Sequence, residues 1–594
     1  MMEITADTNL DIEKEFKIEA GPGAGKTRFL IHHINNVIKE SNRLYSTRKV
    51  ACITFTNTAV DTIRQRLGDG ATGKTEVSTI HSFLYNNIVK PYGSFISNEY
   101  GLRIEKIDGH EEPIVNRKYL NKWLEMDILT GLKHPNSQKQ LERIPGLNDA
   151  LRNWLLSAKC VVKKGNIEWD FNNEKAVSYG SEGRISLSRD SFNVLKKGFL
   201  EYKKLYWKEG RIDHEDVLFF SGILIQKYPF ILTVLRAKYP YFFVDEFQDT
   251  NPMQSYILSE IKKKESIVGV IGDSAQAIYG FQGADIQLFK KYKIKKGNGY
   301  SINENHRSDK CIVDFLNILR RNFTQIPCER YVGASISFYV GDRSEAFQTA
   351  KDICGVEKLV SLSRDNVTSN AMKNNLESNN YNKKAIKELE EADSNDVRRN
   401  YVIAYVNAIE LARNGKFKEA LKKIEGIYRG QAEPQKVSLD MLSAMLKRYS
   451  EYANDTLMQF YSLLKGKEKD VTLANLRTGS IKTFYENTPY IDVALGVNIV
   501  EDTSNHITIH KAKGAEYDNV FVVGNKEFLD FLLNPNIEEN EEHRVYYVAL
   551  SRAKKRLFLY LDNLKSSDEK IIRDNYGIKV ERICSNNKNA HSPE

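Results

Sequence analysis

The chain has 594 residues, 41% hydrophobic and 28% charged, a composition ordinary for a globular protein and a length too great for one core. Three to five domains or subdomains are expected, and no apolar run approaches the roughly 20 residues of a membrane span. The 87 basic and 78 acidic residues give a formal net charge of +9, compatible with a polyanionic partner without requiring one.

The N-terminus, "MMEITADTNLDIEKE", is acidic and lacks the basic and apolar regions of a signal peptide, so a cytoplasmic protein is expected. From residue 15 to about 85, short apolar runs alternate with segments of helical period, and the same alternation returns at 240–310. This pattern predicts a parallel sheet with helices on both faces. Residues 100–235 read as mostly helical, as in "LNDALRNWLLSA" and "SFNVLKKGFLEYKKLYW". The densest basic run, "KKYKIKK" at 290–296, reads as a solvated face. Residues 366–396, rich in Asn, Lys, Ser and Glu, read as a linker or a loose surface helix, and helical period resumes through about 470. A second sheet-like zone spans 500–562, with "HITIH", "NVFVVG" and "RLFLYL", and the tail "SNNKNAHSPE" reads as disordered. The six cysteines are scattered without a C-x-x-C pair, which argues against a zinc knuckle or an iron–sulfur cluster.

Chemistry concentrates in the α/β zones. In "EAGPGAGKT" (19–27), Gly21, Gly23 and Gly25 let backbone N–H groups curl around an anion, and the helix beginning near Lys26 adds its positive end. Lys26 can reach terminal phosphates and the Thr27 hydroxyl can ligate Mg²⁺. Ala20 takes the place of the first glycine of the G-x-x-x-x-G-K-[ST] pattern, a tolerable change because alanine is small. The expected nucleotide contacts run through Ala20, Gly21, Pro22, Gly23, Ala24, Gly25, Lys26, Thr27 and Arg28. Downstream, "YFFVDEFQDT" (241–250) carries an apolar strand into two adjacent carboxylates. Beside a phosphate loop, Asp245 is the expected magnesium ligand and Glu246 the expected general base on the attacking water.

With these blocks, "ITFTNTAV" (53–60), "STIHSF" (78–83), "IGDSAQAIYGFQGA" (271–284), "ENHRS" (304–308), "ITIHKAKGAEYDNVFVVG" (507–524) and "YVALSRAKKRLFL" (547–559) complete a series in fixed order. The series resembles the superfamily 1 helicases typified by UvrD, Rep and PcrA. That resemblance implies an α/β fold of two RecA-like P-loop domains, each with an inserted, mostly helical subdomain. It places domain 1A at 1–100 and 216–300 around insertion 1B (101–215). Domain 2A falls at 301–365 and 496–575 around a short insertion 2B (366–495), with the tail at 576–594.

The resemblance further implies roles. Gln276 matches the γ-phosphate sensor; Arg307 and Arg552 match arginines that neutralise transition-state charge, an effect of about 10³–10⁵ in rate. Glu516 matches a ribose contact. Thr56, Asn57, Thr79, His81, Thr508 and His510 match contacts to the single-strand backbone, and Phe281 a base-stacking aromatic. The implied activity is an ATP-dependent 3′-to-5′ DNA translocase or helicase that couples hydrolysis between the two domains to movement. ATP and Mg²⁺ are its cofactors, and single-stranded DNA or a single-strand/duplex junction its partner. Four departures bear on this expectation. No glutamine precedes Gln65, where the family reads adenine upstream of the loop; His306 replaces a stacking tyrosine; Gln282 replaces an arginine; and insertion 2B is short. They motivate an alternative, a DNA-state-sensing ATPase that regulates a separate partner nuclease, as in the GajB-like proteins of Gabija-type anti-phage systems.

Overall fold

A computed structural model describes residues 1–111, 113–115, 117–133, 147–172, 177–180, 183–294, 297–374, 376, 381–393, 395–428, 432–467, 473–476, 478–497 and 504–584. The chain forms two compact units: Met1–Tyr331 with Pro535–Ser551, and Val332–Asn534 with Arg552–Glu594. The tail expected to be disordered over 576–594 instead contributes a strand, Val580–Ile583, that pairs in parallel with Ser335–Gly341, and residues 585–594 lie outside the described residues.

The first unit is built on a seven-stranded, wholly parallel sheet. Its strands are β1 (Met2–Glu3), β2 (Glu15–Ala20), β3 (Val50–Thr54), β4 (Thr75–Thr79), β9 (Tyr241–Val244), β10 (Ile267–Gly272) and β11 (Gly297–Ile302), in the order β1-β11-β2-β10-β9-β3-β4. Alternation along each strand divides the apolar side chains between two cores. Tyr241 and Phe243 join one with Phe16, Ile18 and the helices α1 (Lys26–Glu40) and α2 (Asn57–Thr72). Phe242 and Val244 join the other with α3 (Ile80–Leu84) and the helices of residues 189–262. Burial on both faces is why "YFFV" is apolar at every position.

That second core continues without a break into the mostly helical segment of residues 117–238, where Trp123, Trp154 and Trp207 are fully buried. Its principal helices are α4 (Arg189–Trp207), α5 (His214–Lys227) and α6 (Phe230–Lys238), and α7 (Pro252–Lys262) follows β9. Asp213 caps α5 in a reciprocal capping box with Asp216, and both carboxylates take the buried ammonium of Lys203, at 2.8 and 2.9 Å. The segment is less helical than its periodicity suggests. β5 (Lys159–Lys163) and β6 (Asn166–Asp170) form an antiparallel hairpin, and β7 (Val177–Gly180) pairs with β8 (Gly183–Ser186). Between β5 and β6, Lys164 and Gly165 both have positive φ, 51° and 84°, the two-residue turn whose twist suits a hairpin.

After the sheet come β12 (Glu304–Asp309), α8 (Lys310–Leu319) and β13 (Ile326–Glu329), and α9 (Glu541–Leu550) completes the first unit. In the basic run, Lys290 pairs with Glu538 and the Lys293 carbonyl accepts from Lys262; residues 295 and 296 lie outside the described residues.

The second unit holds a six-stranded, all-parallel sheet. It comprises β14 (Ser335–Gly341), β15 (Leu359–Ser363), β16 (His506–Thr508), β17 (Tyr517–Val523), β18 (Ala553–Leu561) and β19 (Val580–Ile583), in the order β16-β15-β17-β18-β14-β19. A helical segment between β15 and β16 has its own tyrosine-rich core, including Tyr405, Tyr428, Tyr452, Tyr485 and Tyr490. Within the stretch at 366–396, the described residues are more helical than its composition suggests. It contributes helices Asn366–Lys373 and Ala385–Ala392, which bury Ala371, Met372, Ala385 and Leu389. Among the described residues no single helix is long and apolar enough to cross a membrane.

Candidate nucleotide and nucleic-acid site

Because all seven strands of the first sheet run the same way, their carboxyl ends lie along one edge, where ligands bind in open α/β sheets. Adjacent strands there deliver the motif blocks side by side: Gly21–Lys26 after β2, Asp273–Gln276 after β10, Asp245–Glu246 after β9, Thr56 after β3 and Thr79 at the end of β4.

In the loop, Gly23 and Gly25 have φ of 71° and 79°, a left-handed backbone that disfavours a side chain. A Cβ on Gly23 would also stand 2.6 Å from the Asn305 amide oxygen and 2.7 Å from Arg307 Cβ. The "ENHRS" segment therefore lies directly on the loop, and the His306 N–H donates to the Gly23 carbonyl at 3.0 Å. The Gln325 amide donates to the Pro22 carbonyl at 2.8 Å. Ala20 and Ala24 are buried. The Lys26 ammonium donates to the carbonyls of Ala20 and Gly21, at 3.1 and 3.3 Å, and so lies folded back over the loop. Thr27 and Arg28 open α1, and Arg28 makes a two-pronged ion pair with Asp7 at 2.8 and 2.7 Å.

Asp245 is buried at the end of β9, with its N–H on the Ile53 carbonyl at 2.8 Å. Burial first, and Glu246 second, push its carboxyl up to about 7 against the pull of Lys26. The Asp245 carboxylate and the Thr27 hydroxyl are oxygen donors of the kind that suits Mg²⁺. Glu246 has φ 53° and ψ 39°, a left-handed conformation costly for a residue with a side chain. Gln248, fully buried, donates to Glu246 Oε2 and accepts the Asp273 N–H at 3.0 Å. Asp273 in turn accepts from the Gln276 amide at 2.6 Å. The catalytic carboxylate expected from the sequence is thus joined by hydrogen bonds to the expected sensor. Arg307 is half-buried, and its guanidinium donates to the Ser551 carbonyl at 3.1 Å.

The nucleic-acid candidates of the first unit lie at helix starts. Thr56 caps α2 by accepting the Ala59 N–H at 3.2 Å, with Asn57 exposed beside it, and Thr79 caps α3. His81 stacks on His214 at 5.0 Å, next to His110. Its proton affinity is lowered to about 3, by burial first and then by His214, His110 and Lys159, so the ring is neutral near pH 7. Phe281 is 66% exposed, and Tyr279 lies 6.0 Å from it and 4.8 Å from a stacked Phe55. Phe55 and Tyr279 extend the aromatic surface beyond the single residue singled out in the sequence, although both stand inside the motif blocks. Gln248 stands inside the "YFFVDEFQDT" block, whereas Gln325 and Arg320 belong to no motif.

The remaining candidates belong to the second unit. Thr508 ends β16 and its hydroxyl accepts the Lys511 N–H at 3.4 Å, with His510 in the same turn. Glu516 is exposed and pairs with Lys554 at 2.8 Å. Arg552 is fully buried, its guanidinium on the Ala515 carbonyl at 3.2 Å and its own carbonyl accepting the Tyr517 N–H at 2.9 Å.

Residues 3–296 match the UvrD/REP helicase N-terminal domain and residues 350–563 the UvrD-like helicase C-terminal domain. The chain is similar to the ATP-dependent DNA helicases PcrA of Staphylococcus epidermidis strain RP62A, at 25% identity, and of Staphylococcus aureus strain Mu50, at 24%. Each comparison covers 91% of this chain and 80% of the relative. The chain belongs to the UvrD-like helicase family and is an ATP-hydrolysing DNA helicase built on two RecA-like domains.

Proposed function

We propose that the chain moves 3′ to 5′ along single-stranded DNA, driven by hydrolysis of ATP held on the Gly21–Thr27 loop. The observation that carries this reading is the row of motif ends on adjacent parallel strands, with Gln248 bonded both to Glu246 and to the loop that bears Gln276. Lys26 would leave its own loop carbonyls for the terminal phosphates. Glu246, oriented by Gln248, would take the proton of the attacking water. Thr27 and Asp245 would hold Mg²⁺, whose chemistry there is neutralisation of phosphate charge. Arg307 and Arg552 would stabilise charge developing on the transferred phosphoryl group, and Glu516 would bind the ribose. Thr56, Asn57, Thr79, neutral His81 and Thr508 are uncharged contacts suited to a strand that must be released at each step, and His510 stands in the same turn as Thr508. Phe281, with Tyr279 and Phe55, offers faces for bases.

Steady-state ATP hydrolysis with and without a single-stranded oligonucleotide tests the proposal. Strong stimulation is expected, with a loss of about 10²–10⁴ in kcat for Glu246→Gln. Displacement of streptavidin from a 3′- or 5′-biotinylated strand then reads direction; faster clearance of the 5′ block supports the proposed polarity, and the reverse refutes it. Regulation of a separate nuclease in phage defence finds no support in these observations. That reading predicts stable association with a second polypeptide and weak or absent strand separation, and a lone protein that unwinds duplexes efficiently counts against it.

A further inference from the structure

The sequence motifs leave out one of the most deeply buried charges in the first unit. Arg320 follows the last turn of α8, its N–H closing that helix on the Leu316 carbonyl at 2.9 Å, and its side chain is 2% exposed. One arm of the guanidinium donates to Asp273 Oδ1 at 2.8 Å. The other donates to Glu19 Oε1 at 3.1 Å and lies 3.4 Å from the Ser274 hydroxyl. The rings of Phe323 and Tyr547 lie over it, at 4.4 and 5.9 Å. Four elements therefore meet on one cation: β2, which leads into the phosphate loop; the loop after β10, which bears Gln276; α8; and α9, through Tyr547.

The two carboxylates are not simple counterions. Glu19 also accepts the Ser274 N–H at 3.0 Å and its hydroxyl at 2.6 Å. Asp273 distributes its oxygens between two jobs. Oδ1 takes Arg320 and the Ala275 N–H, and Oδ2 takes the Gln276 amide at 2.6 Å. Its backbone N–H meanwhile feeds Gln248, which holds Glu246. A carboxylate so buried needs a cation to stay ionised. Burial pushes the Asp273 carboxyl up, but Arg320, Lys26 and the Gln276 amide together outweigh it and keep the group below the ordinary carboxylate range.

We propose that Arg320 is a positioning residue for ATP hydrolysis: by bridging Glu19 and Asp273 it fixes the Gln276 loop against the phosphate-loop strand and keeps Gln248 on Glu246. Arg320 reaches no phosphate in this role. It sets the orientation of the base and the sensor, so its loss slows the chemical step without loosening the nucleotide. The inference rests on the roles proposed above for Glu246 and Gln276.

The test is steady-state ATP hydrolysis by the full chain, with and without a saturating single-stranded oligonucleotide, alongside equilibrium binding of a fluorescent ATP analogue. Arg320→Gln is expected to lower DNA-stimulated kcat tenfold or more, with the KM for ATP and the analogue Kd changed less than twofold. The stimulation ratio should fall as well, because the sensor loop is no longer tied to β2. Arg320→Lys, which keeps the charge but lacks the planar two-armed fork that spans Glu19 and Asp273, should recover part of the loss. Glu19→Gln, which keeps the hydrogen-bond shape and removes one charge, should give a smaller fall of the same kind. It also reports on the bridge if Arg320→Gln does not fold.

Unchanged kcat in Arg320→Gln, or in Glu19→Gln where only that variant folds, overturns the proposal. So does a parallel loss of analogue binding and kcat, which is the mark of general damage to the loop. Glu246→Gln, run beside them, separates the two readings. If it retains activity, the assignment of the base fails first; if it is inactive while the Arg320 and Glu19 variants turn over normally, only the positioning role fails.

Discussion

His33 offers a quantitative test of the packing behind the phosphate loop. It sits on the inner face of α1, boxed by Phe16, Phe29 and Phe243 with ring centroids at 5.0, 5.7 and 5.0 Å, and is 1% exposed. Neither ring nitrogen has a hydrogen-bond partner among the described residues. Burial first, and then the neighbouring His32, lower its pKa from 6.5 to about 4. The sign follows directly. The unfolded chain takes up the proton at the higher pH, so stability is lost as pH falls from 6.5 towards about 4. Between about pH 8 and about pH 5.5 this single group removes roughly 1.4 kcal/mol. Leucine at position 33 is similar in volume, cannot be protonated and leaves no buried polar atom without a partner, a feature that costs about 1–3 kcal/mol. His33→Leu is therefore expected to raise stability at about pH 8 by roughly 1 kcal/mol and to widen that advantage to about 2.4 kcal/mol at about pH 5.5. Urea unfolding of both proteins at the two pH values, followed by tryptophan fluorescence, reads the difference. His81 contributes its own acid sensitivity to both proteins equally and cancels in the comparison. An advantage that does not grow on acidification, or a less stable variant at the higher pH, would refute the account of His33 as a neutral, unsatisfied core residue.

Two further outcomes follow from the geometry. Lys203→Met strips the buried Asp213 and Asp216 of their cation and is expected to cost about 3–5 kcal/mol in urea unfolding; a cost under about 1 kcal/mol would show that the pair is compensated elsewhere. Phe281→Ala should weaken binding to a single-stranded oligonucleotide by about 1–3 kcal/mol in fluorescence anisotropy, equally for different base compositions and with basal ATP turnover unchanged; a base-dependent loss would point to edge recognition instead of stacking.

The parts of the site that the sequence makes legible are those where chemistry dictates both residue type and spacing. A loop that wraps a phosphate needs glycines at short intervals before Lys26, and a carboxylate pair at a strand end needs "YFFV" before Asp245, because both faces of that strand are covered. The hairpin at residues 159–170 was hidden for the opposite reason. Its turn residues are Lys164 and Gly165, and an unremarked lysine in a left-handed conformation leaves no compositional mark. Residues 301–331 read naturally as the opening of a second domain, yet they group with the first unit. Long-range hydrogen bonds tie them to it, from Gln325 to Pro22, from the His306 N–H to Gly23 and from Arg320 to Asp273 and Glu19, and no local pattern encodes these. Arg320 is the clearest case. It stands 301 positions from Glu19, in a stretch that reads as an ordinary helix end followed by basic residues. Its meaning appears only when burial removes solvent from both partners.

The same contacts bear on how ATP can be both bound and used. The groups proposed to meet phosphate have protein partners: Lys26 on two carbonyls of its own strand and loop, and Gln276 on Asp273. Nucleotide binding therefore exchanges hydrogen bonds instead of satisfying orphaned ones. The exchange also carries information. Moving the Gln276 amide off Asp273 Oδ2 leaves that oxygen to compete for other donors, while Oδ1 remains on Arg320 and the Asp273 N–H remains on Gln248. Under the proposed roles of Gln276 and Glu246, a change at the first would reach the second through Asp273 and Gln248. A motor needs this order of events, since hydrolysis that ran ahead of phosphate sensing would consume ATP without a step.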